Sequence, residues 1–187
     1  MKKLQNICAC WLLLSGIALA QTAKPAEPRT VSQVLDRSVT NVEHEFLPAA
    51  DAMPEDKYSF APSNGEFKGV RTFGEQVKHV AAVNYIMAAA ILGEKPPVDT
   101  GEERGPASVK SKADIMNYLK DSFAYLHKAA ASINEKSLVA PVKSPFGEGS
   151  ATRLALASGA VGHCFDHYGQ MVEYLRMNSI IPPASRQ

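Results

Sequence analysis

Two histidines, His163 and His167, stand four residues apart in a segment with helical spacing. Side chains at positions i and i+4 of a helix lie on one face, with Cβ atoms about 5–6 Å apart. Two imidazoles at that separation can bind one metal ion at metal–nitrogen distances of about 2.0–2.1 Å. No glutamate directly follows His163, so the pair does not match the zinc-protease motif His-Glu-x-x-His. Taken alone, the pair indicates either a metal site or two ordinary buried histidines.

His79 supplies a third candidate ligand from another segment. It shares an apolar helical face with Val83 and Ile86, so it should point into the protein interior. In a helical bundle, His79 could complete a metal site together with the pair. The other two histidines are predicted to lie at the surface, His44 opposite the apolar face of its helix and His127 at the edge of one.

Four amphipathic segments are expected to position these histidines. Each places apolar residues on one face at helical spacing, and none sustains the alternation of a β-strand. Because four such faces can be buried only against one another, the sequence predicts an all-α fold, a four-helix bundle. Long connections rich in proline and glycine favour crossover connections over tight hairpins. The predicted helices span residues 30–53, 72–92, 109–135 and 150–178.

The fourth predicted helix is expected to be buried over more than half of its circumference. Its two histidines lie beside the main apolar face, within the buried arc. Buried imidazoles need polar partners; a shared metal ion would serve both, and a hydrogen-bond network is the alternative. The main apolar face is predicted to comprise Leu154, Val161, Phe165, Tyr168, Val172 and Leu175.

The first twenty residues have the pattern of a secretory signal peptide. Two lysines precede an apolar run over residues 7–19, and a small-x-small cleavage sequence occupies residues 18–20. The run is too short for a membrane span; an uncleaved N-terminal anchor is the alternative. We therefore expect export to the periplasm or beyond the cell, with no membrane attachment after cleavage. Residues 21–28 are predicted to be a flexible leader, and 29–187 the bundle domain.

Composition narrows the function classes. With 187 residues, 45% hydrophobic and 21% charged, the chain has the composition of a globular protein of one domain. Its net charge is +1, without a basic cluster, which argues against nucleic acid as a partner. Removal of the signal peptide leaves Cys164 as the only cysteine, so no internal disulfide can form. Cys164 lies in an apolar stretch and is predicted to be a buried, inert thiol.

The layout resembles the DinB-like (DinB/YfiT) superfamily of metal-dependent enzymes over essentially the whole mature chain. The resemblance is carried by the segments YSFAP at 58–62, TFGEQVKHV at 72–80 and HCFDHYGQMVEYLRMNSIIPP at 163–183. In the last segment a histidine, three residues, a second histidine and x-Gly-Gln follow one another. The resemblance implies a four-helix bundle that holds a divalent metal on three histidines. Carried over position by position, these are His79, His163 and His167.

Three imidazoles leave a divalent ion with an open position for water or substrate. Zn²⁺ or Ni²⁺ is expected, with Fe, Mn or Cu as alternatives. The resemblance implies a transferase or isomerase that uses a metal-bound thiolate. The open position also permits a hydrolase that uses a metal-bound hydroxide, and in either case the substrate is expected to be a small molecule. The thiols that relatives use are cytoplasmic, so export favours hydrolysis. The alternative is a non-catalytic bundle protein that binds a metal or ligand; the oligomeric state is left open between a monomer and a homodimer.

Three further side chains are candidates for catalytic roles. Gln170 shares the histidine face of its helix and could bind a ligand imidazole or a metal-bound water. Glu75 stands one turn before His79, where it could accept a proton or form a capping box with Thr72. Tyr174 could line the pocket and donate a proton, or belong to the core.

Overall fold

The computed structural model describes residues 27–186, which form a bundle of four α-helices with one short β-hairpin. The predicted signal peptide and most of the predicted leader lie outside the described residues. Within residues 27–186, no helix combines the length and the hydrophobicity that a membrane span requires. The helices are α1 (Val31–Ala52), α2 (Phe73–Leu92), α3 (Lys112–Ala131) and α4 (Arg153–Met177), and the antiparallel strands are β1 (Pro141–Lys143) and β2 (Ser150–Thr152).

Local chemistry sets where the helices begin and end. Helices α1, α2 and α3 each begin with a capping box, in which two side chains satisfy free backbone N–H groups. In α2, Glu75 Oε2 accepts a hydrogen bond from the Thr72 N–H at 2.8 Å, which confirms the predicted box. The same helix ends at Gly93, whose φ of 75° lies in the left-handed region that glycine favours.

The order of the helices around the bundle differs from their order along the chain. Helix α2 packs mainly against α3 and α4, and α1 also packs mainly against α3 and α4. Helices α1 and α2 therefore occupy diagonal corners, as do α3 and α4, and the connections between them cross an end of the bundle. This arrangement confirms the predicted crossover after α1. The second predicted crossover, at residues 93–107, is wrong, because that loop joins the neighbouring helices α2 and α3, and the second diagonal connection follows α3. The arrangement also places α2 and α4, which carry the three candidate ligands, side by side.

The loop after α1 fixes the start of α2. The Tyr58 hydroxyl donates to the Ala50 carbonyl at 2.8 Å, and the Tyr58 carbonyl accepts from the Gly74 N–H at 2.8 Å. A Cβ at Gly74 would lie 3.0 Å from the Tyr58 ring and 3.2 Å from its carbonyl oxygen, so glycine permits this close approach. Phe60 continues the contact by packing edge-on against Tyr174 of α4, with ring centroids 5.7 Å apart. The segment thus joins α1, α2 and α4.

Helix α4 begins later than predicted and buries a different face. Residues 150–152 pair with 141–143 as a hairpin, so the helix begins at Arg153. Leu154 and Phe165, predicted on the main apolar face, are 36% and 43% exposed. The reason is that apolar residues surround most of this helix, so its own pattern does not define the buried arc. Packing against α1 and α2 buries instead Leu156, Ala157, Ala160, Cys164, His167, Met171, Tyr174 and Leu175.

His127 is half-buried and joins α3 to α1, which corrects its prediction as a surface residue. Its Nδ1 donates to Asp36 Oδ1 at 2.6 Å, and its Nε2 donates to Glu43 Oε2 at 3.0 Å. Because carboxylates accept hydrogen bonds, this geometry favours the imidazolium form. Burial lowers the pKa of His127, but the two carboxylates raise it more, so the pKa lies above its ordinary value. His44 is exposed, as predicted.

We expect His127 to make the stability of the bundle depend on pH. A histidine whose pKa is raised by folding stabilises the folded protein when it is protonated. This contribution is complete below the unfolded-state pKa of about 6.5 and is lost as the pH rises through the folded-state pKa. The contribution should not exceed about 1 kcal/mol, because such partly exposed pairs are weak. Urea unfolding of wild type and His127→Gln should show a larger difference at about pH 5.5 than at about pH 9. An equal difference at both values would contradict the assignment.

Candidate metal centre

The three candidate ligands meet between α2 and α4. His163 Nε2 lies 3.1 Å from His79 Nε2 and 3.1 Å from His167 Nε2. One nitrogen of each ring lies within 4.8 Å of the others. His79 and His167 are buried and His163 is half-buried. Two residues from one helix and one from its neighbour are thus brought to a single point.

The spacing of these nitrogens fits a metal ion. Two nitrogens bound to a tetrahedral ion at about 2.0–2.1 Å are roughly 3.3 Å apart, close to the 3.1 Å observed. Hydrogen bonds between the rings explain these two contacts less well. His163 Nε2 carries at most one proton, so it cannot form a hydrogen bond to both neighbouring ring nitrogens. A cation among the rings would accept a lone pair from each of them. The cluster can therefore hold a metal ion.

A main-chain carbonyl orients His79. Its Nδ1 donates to the Glu103 carbonyl oxygen at 2.7 Å. Since a carbonyl only accepts, the proton lies on Nδ1 and the Nε2 lone pair faces the other two histidines. Metal-binding histidines are commonly oriented by such a contact. The Nδ1 atoms of His163 and His167 are buried and have no hydrogen-bond partner among the described residues.

The loop that presents the Glu103 carbonyl has an unusual backbone. Gly101, Glu102 and Glu103 follow one another with φ angles of 54°, 51° and 70°. The left-handed conformation costs roughly 1–2 kcal/mol for a residue other than glycine, and it normally occurs at single positions. The turn is closed by a hydrogen bond of 2.9 Å from the Gly105 N–H to the Thr100 carbonyl. Backbone strain of this kind concentrates at functional sites.

All three imidazoles have lowered pKa values. Burial is the main cause for each ring, and the neighbouring histidines or the positive charge of Arg71 lower the pKa further. The pKa falls to about 4 for His163 and to about 4 for His167. The rings are therefore neutral at neutral pH, with lone pairs available for a metal.

Metal affinity should accordingly change little with pH near neutrality. Three histidines of ordinary pKa would lose roughly 50-fold in affinity between about pH 7.5 and 6.0, because protons compete for each ring. With the lowered pKa values, we expect a loss of less than about fourfold over this interval, because only His79 can still titrate there. Titration of the metal-free protein with zinc against a chromophoric chelator checks this. A loss of about tenfold or more would show that the imidazoles titrate normally.

The three predicted catalytic candidates are each engaged by other groups. Gln170 Oε1 accepts from Gln76 Nε2 at 2.9 Å, and its Nε2 donates to Asp166 Oδ2 at 3.1 Å. Glu75 is exposed and forms the capping box already described. The Tyr174 hydroxyl donates to the Arg71 carbonyl at 3.1 Å. None of these bonds is to a ring nitrogen of the cluster.

Sequence reasoning missed two residues at the site. Gln76 is only 3% exposed, and its Oε1 has no hydrogen-bond partner among the described residues. A polar residue three positions before His79, on a buried helical face, was the signal that could have identified it. Glu103 acts through its main-chain carbonyl, for which its side chain gives no signal.

Within residues 27–186, no fourth histidine, cysteine or carboxylate completes the cluster. Cys164, next to His163, donates from Sγ to Asn84 Oδ1 at 3.3 Å. Burial raises the pKa of the Cys164 thiol to about 12, so the prediction of a buried, inert thiol is confirmed. Three ligands leave a divalent ion with at least one open position.

A cavity of about 780 Å³ adjoins the start of α2 and the loop that contacts His79, although none of the three histidines lines it. One wall is the start of α2, including Glu75 and Lys78, one turn and one residue before His79. Another wall is the loop from Asp99 to Ala107, which contains the Glu103 carbonyl that orients His79. The cavity is large enough for a small organic molecule.

Solved structures with the same fold include three bacterial proteins. A DinB-like protein of Bacillus cereus has a TM-score of 0.66 and 16% identity, with 81% of this chain and 95% of that chain covered. A conserved protein of Enterococcus faecalis has a TM-score of 0.63 and 18% identity, with 80% and 98% covered. A DinB-like protein of Bacillus subtilis has a TM-score of 0.63 and 16% identity, with 82% and 99% covered. At these identities the likeness concerns the fold.

The sequence itself identifies the family. No curated protein matches the chain in a sequence search. The family model of the DinB superfamily, however, matches residues 39–171, which include all of α2 and α3, most of α1 and α4, and the three clustered histidines. The helical bundle and the matched range agree with each other, and the chain belongs to the DinB superfamily.

Proposed function

We propose that this protein is an exported metal-dependent hydrolase that holds a divalent metal on His79, His163 and His167. The observation that carries the proposal is a cluster of three neutral imidazoles with no fourth protein ligand in the described chain, beside a cavity. Structural zinc sites usually have four protein ligands, whereas catalytic ones have three and an open position. Imidazole ligands suit Zn²⁺ or Ni²⁺ best here, with Fe, Mn or Cu as alternatives.

The residues around the cluster fit this chemistry. A divalent ion bound by three imidazoles lowers the pKa of a bound water to about 7, which supplies hydroxide at neutral pH. Gln76 offers a buried amide oxygen that has no donor among the described residues, while its amide nitrogen donates to Gln170. A buried acceptor left without a donor costs about 1–3 kcal/mol, so a donor on water or substrate would recover that energy.

Export rests on the signal-peptide pattern of residues 1–20. It favours hydrolysis over thiol transfer, because the thiols used by relatives that the chain resembles are cytoplasmic. Fractionation of expressing cells, followed by N-terminal sequencing, tests the proposal. We expect a periplasmic or secreted protein that begins at Gln21; a membrane-bound protein that keeps Met1 would contradict it.

Cobalt(II) substitution separates a hydrolase from a protein that only binds metal. We expect the visible spectrum of the cobalt-loaded protein to shift when azide is added, because azide can enter an open coordination position. We also expect the zinc-loaded protein to hydrolyse p-nitrophenyl acetate at least about tenfold faster than the metal-free protein. A spectrum that azide does not change, together with no hydrolysis, would favour the non-catalytic alternative.

A further inference from the structure

We propose that the cavity beside the three-histidine cluster binds an anionic group of a small-molecule ligand, a carboxylate or phosphate, with Arg71 as its main contact. The view that this ligand is a substrate rests on the proposed function, whereas the binding itself does not require metal. The proposal stands on three features of the cavity: an arginine that has no partner among the described residues, acidic groups that each accept from a main-chain donor, and an Arg71 backbone fixed to both helices of the cluster.

Arg71 is half-buried in the cavity wall. Among residues 27–186, its guanidinium has no hydrogen-bond acceptor and no ion-pair partner. Its positive charge contributes to the lowered pKa of all three histidines of the cluster. A guanidinium presents a planar fork of N–H donors that matches carboxylate and phosphate oxygens. An arginine in this setting is suited to an external anion.

The other two cations of the cavity wall are less suited to this role, because Lys78 Nζ already donates to the Pro106 carbonyl at 2.9 Å and Arg104 is exposed. Glu75 accepts from the Thr72 N–H, and Asp99 accepts from the Gly101 N–H at 2.9 Å. One oxygen of each carboxylate of the wall thus accepts from a main-chain donor. The three cations of the wall, Arg71, Lys78 and Arg104, outnumber the two acids Glu75 and Asp99. Such a cleft attracts anions.

The position of the Arg71 backbone is fixed relative to the cluster. Its carbonyl accepts from the Tyr174 hydroxyl at 3.1 Å, which ties the Arg71 backbone to the helix that carries His163 and His167. The following residue, Thr72, caps the helix that carries His79. The Arg71 backbone is therefore anchored to both helices of the site.

Isothermal titration calorimetry of Arg71→Gln tests the proposal, with inorganic phosphate and acetate as the probes. Arg37→Gln is the matched control, because it removes the same charge from an exposed position on α1. In the metal-free protein we expect Arg71→Gln to weaken binding of at least one probe about tenfold or more, and Arg37→Gln to change it by less than about twofold. Arg71→Lys should be intermediate, because it keeps the charge and loses the fork. Circular dichroism verifies that each variant is folded.

The zinc-loaded protein separates this proposal from the proposed function. Anion binding that depends on Arg71 in the metal-free protein supports the anion site even if no hydrolysis is found. Hydrolysis of p-nitrophenyl acetate by wild type, with equal anion binding in wild type and Arg71→Gln, would overturn the anion site and leave the hydrolase proposal intact. Phosphate that binds only the zinc-loaded protein, and equally in both, would be a metal ligand and would also overturn the anion site.

Discussion

Replacing His163 by alanine is expected to abolish stoichiometric binding of a divalent metal while the bundle stays folded. His163 Nε2 lies between the Nε2 atoms of His79 and His167, 3.1 Å from each. Even loss of a group that only orients a metal ligand costs about 10–100-fold in affinity, so loss of the central ligand should cost at least about 100-fold. Elemental analysis after dialysis, and zinc titration against a chelator, measure this.

The same substitution should affect metal-free stability little. His163 is half-buried on α4, and its Nδ1 has no hydrogen-bond partner in the described chain. Alanine is the best helix former, so we expect the free energy of unfolding without metal to change by less than about 1 kcal/mol. His44→Ala, at an exposed position on α1, is the control and should keep full metal content. Full metal content in His163→Ala would refute the assignment, and unfolding of the metal-free variant would indicate a structural role for this residue.

Local chemistry explains why so much of the fold could be predicted. The Thr72–Glu75 capping box begins α2 where predicted, and Gly93 ends it. Both signals act within a few residues, so they do not depend on the rest of the molecule. The crossover after α1 followed from the length and composition of its connection. The same features misplaced the second crossover, because the loop at residues 93–107 is rich in proline and glycine yet joins neighbouring helices.

The wrong predictions concern residues whose exposure is determined by tertiary packing. Phe165 and Leu154 are apolar, yet they lie on the exposed side of α4 because α1 and α2 cover the opposite arc. His127 was placed at the surface because its carboxylate partners, Asp36 and Glu43, are more than eighty residues away along the chain. No pattern within α3 could indicate them.

The candidate metal centre likewise has parts that local sequence could predict and parts that it could not. The spacing of His163 and His167 is local, and their common face followed directly from helical geometry. His79 joined them through its buried face and the family resemblance. The Glu103 carbonyl could not be predicted, because every residue carries a carbonyl and only the folded loop places this one 2.7 Å from His79 Nδ1.

Apart from the three histidines, we expect that loop to be the part of the site where a substitution lowers metal affinity most. Gly101→Ala is expected to lower metal affinity by about 10–100-fold, the usual cost of losing a group that orients a ligand histidine. A Cβ at Gly101 would lie 2.2 Å from the Gly105 carbonyl oxygen and 2.7 Å from its carbonyl carbon. Because the obstacle is main chain of the same turn, no side-chain rotation can relieve the overlap. The turn must open, and Glu103 lies inside it.

Gly93→Ala separates this effect from the ordinary cost of a left-handed alanine. Gly93 has a φ of 75°, but a Cβ there would meet nothing within 4 Å. The two substitutions therefore share a backbone strain of roughly 1–2 kcal/mol, and only Gly101→Ala adds a collision. We expect thermal unfolding to detect destabilisation in both variants, and zinc titration to detect weaker binding only in Gly101→Ala. Equal zinc affinity in both would mean that the Glu103 carbonyl does not orient His79, since the displaced loop would then have no effect on the ligand it contacts.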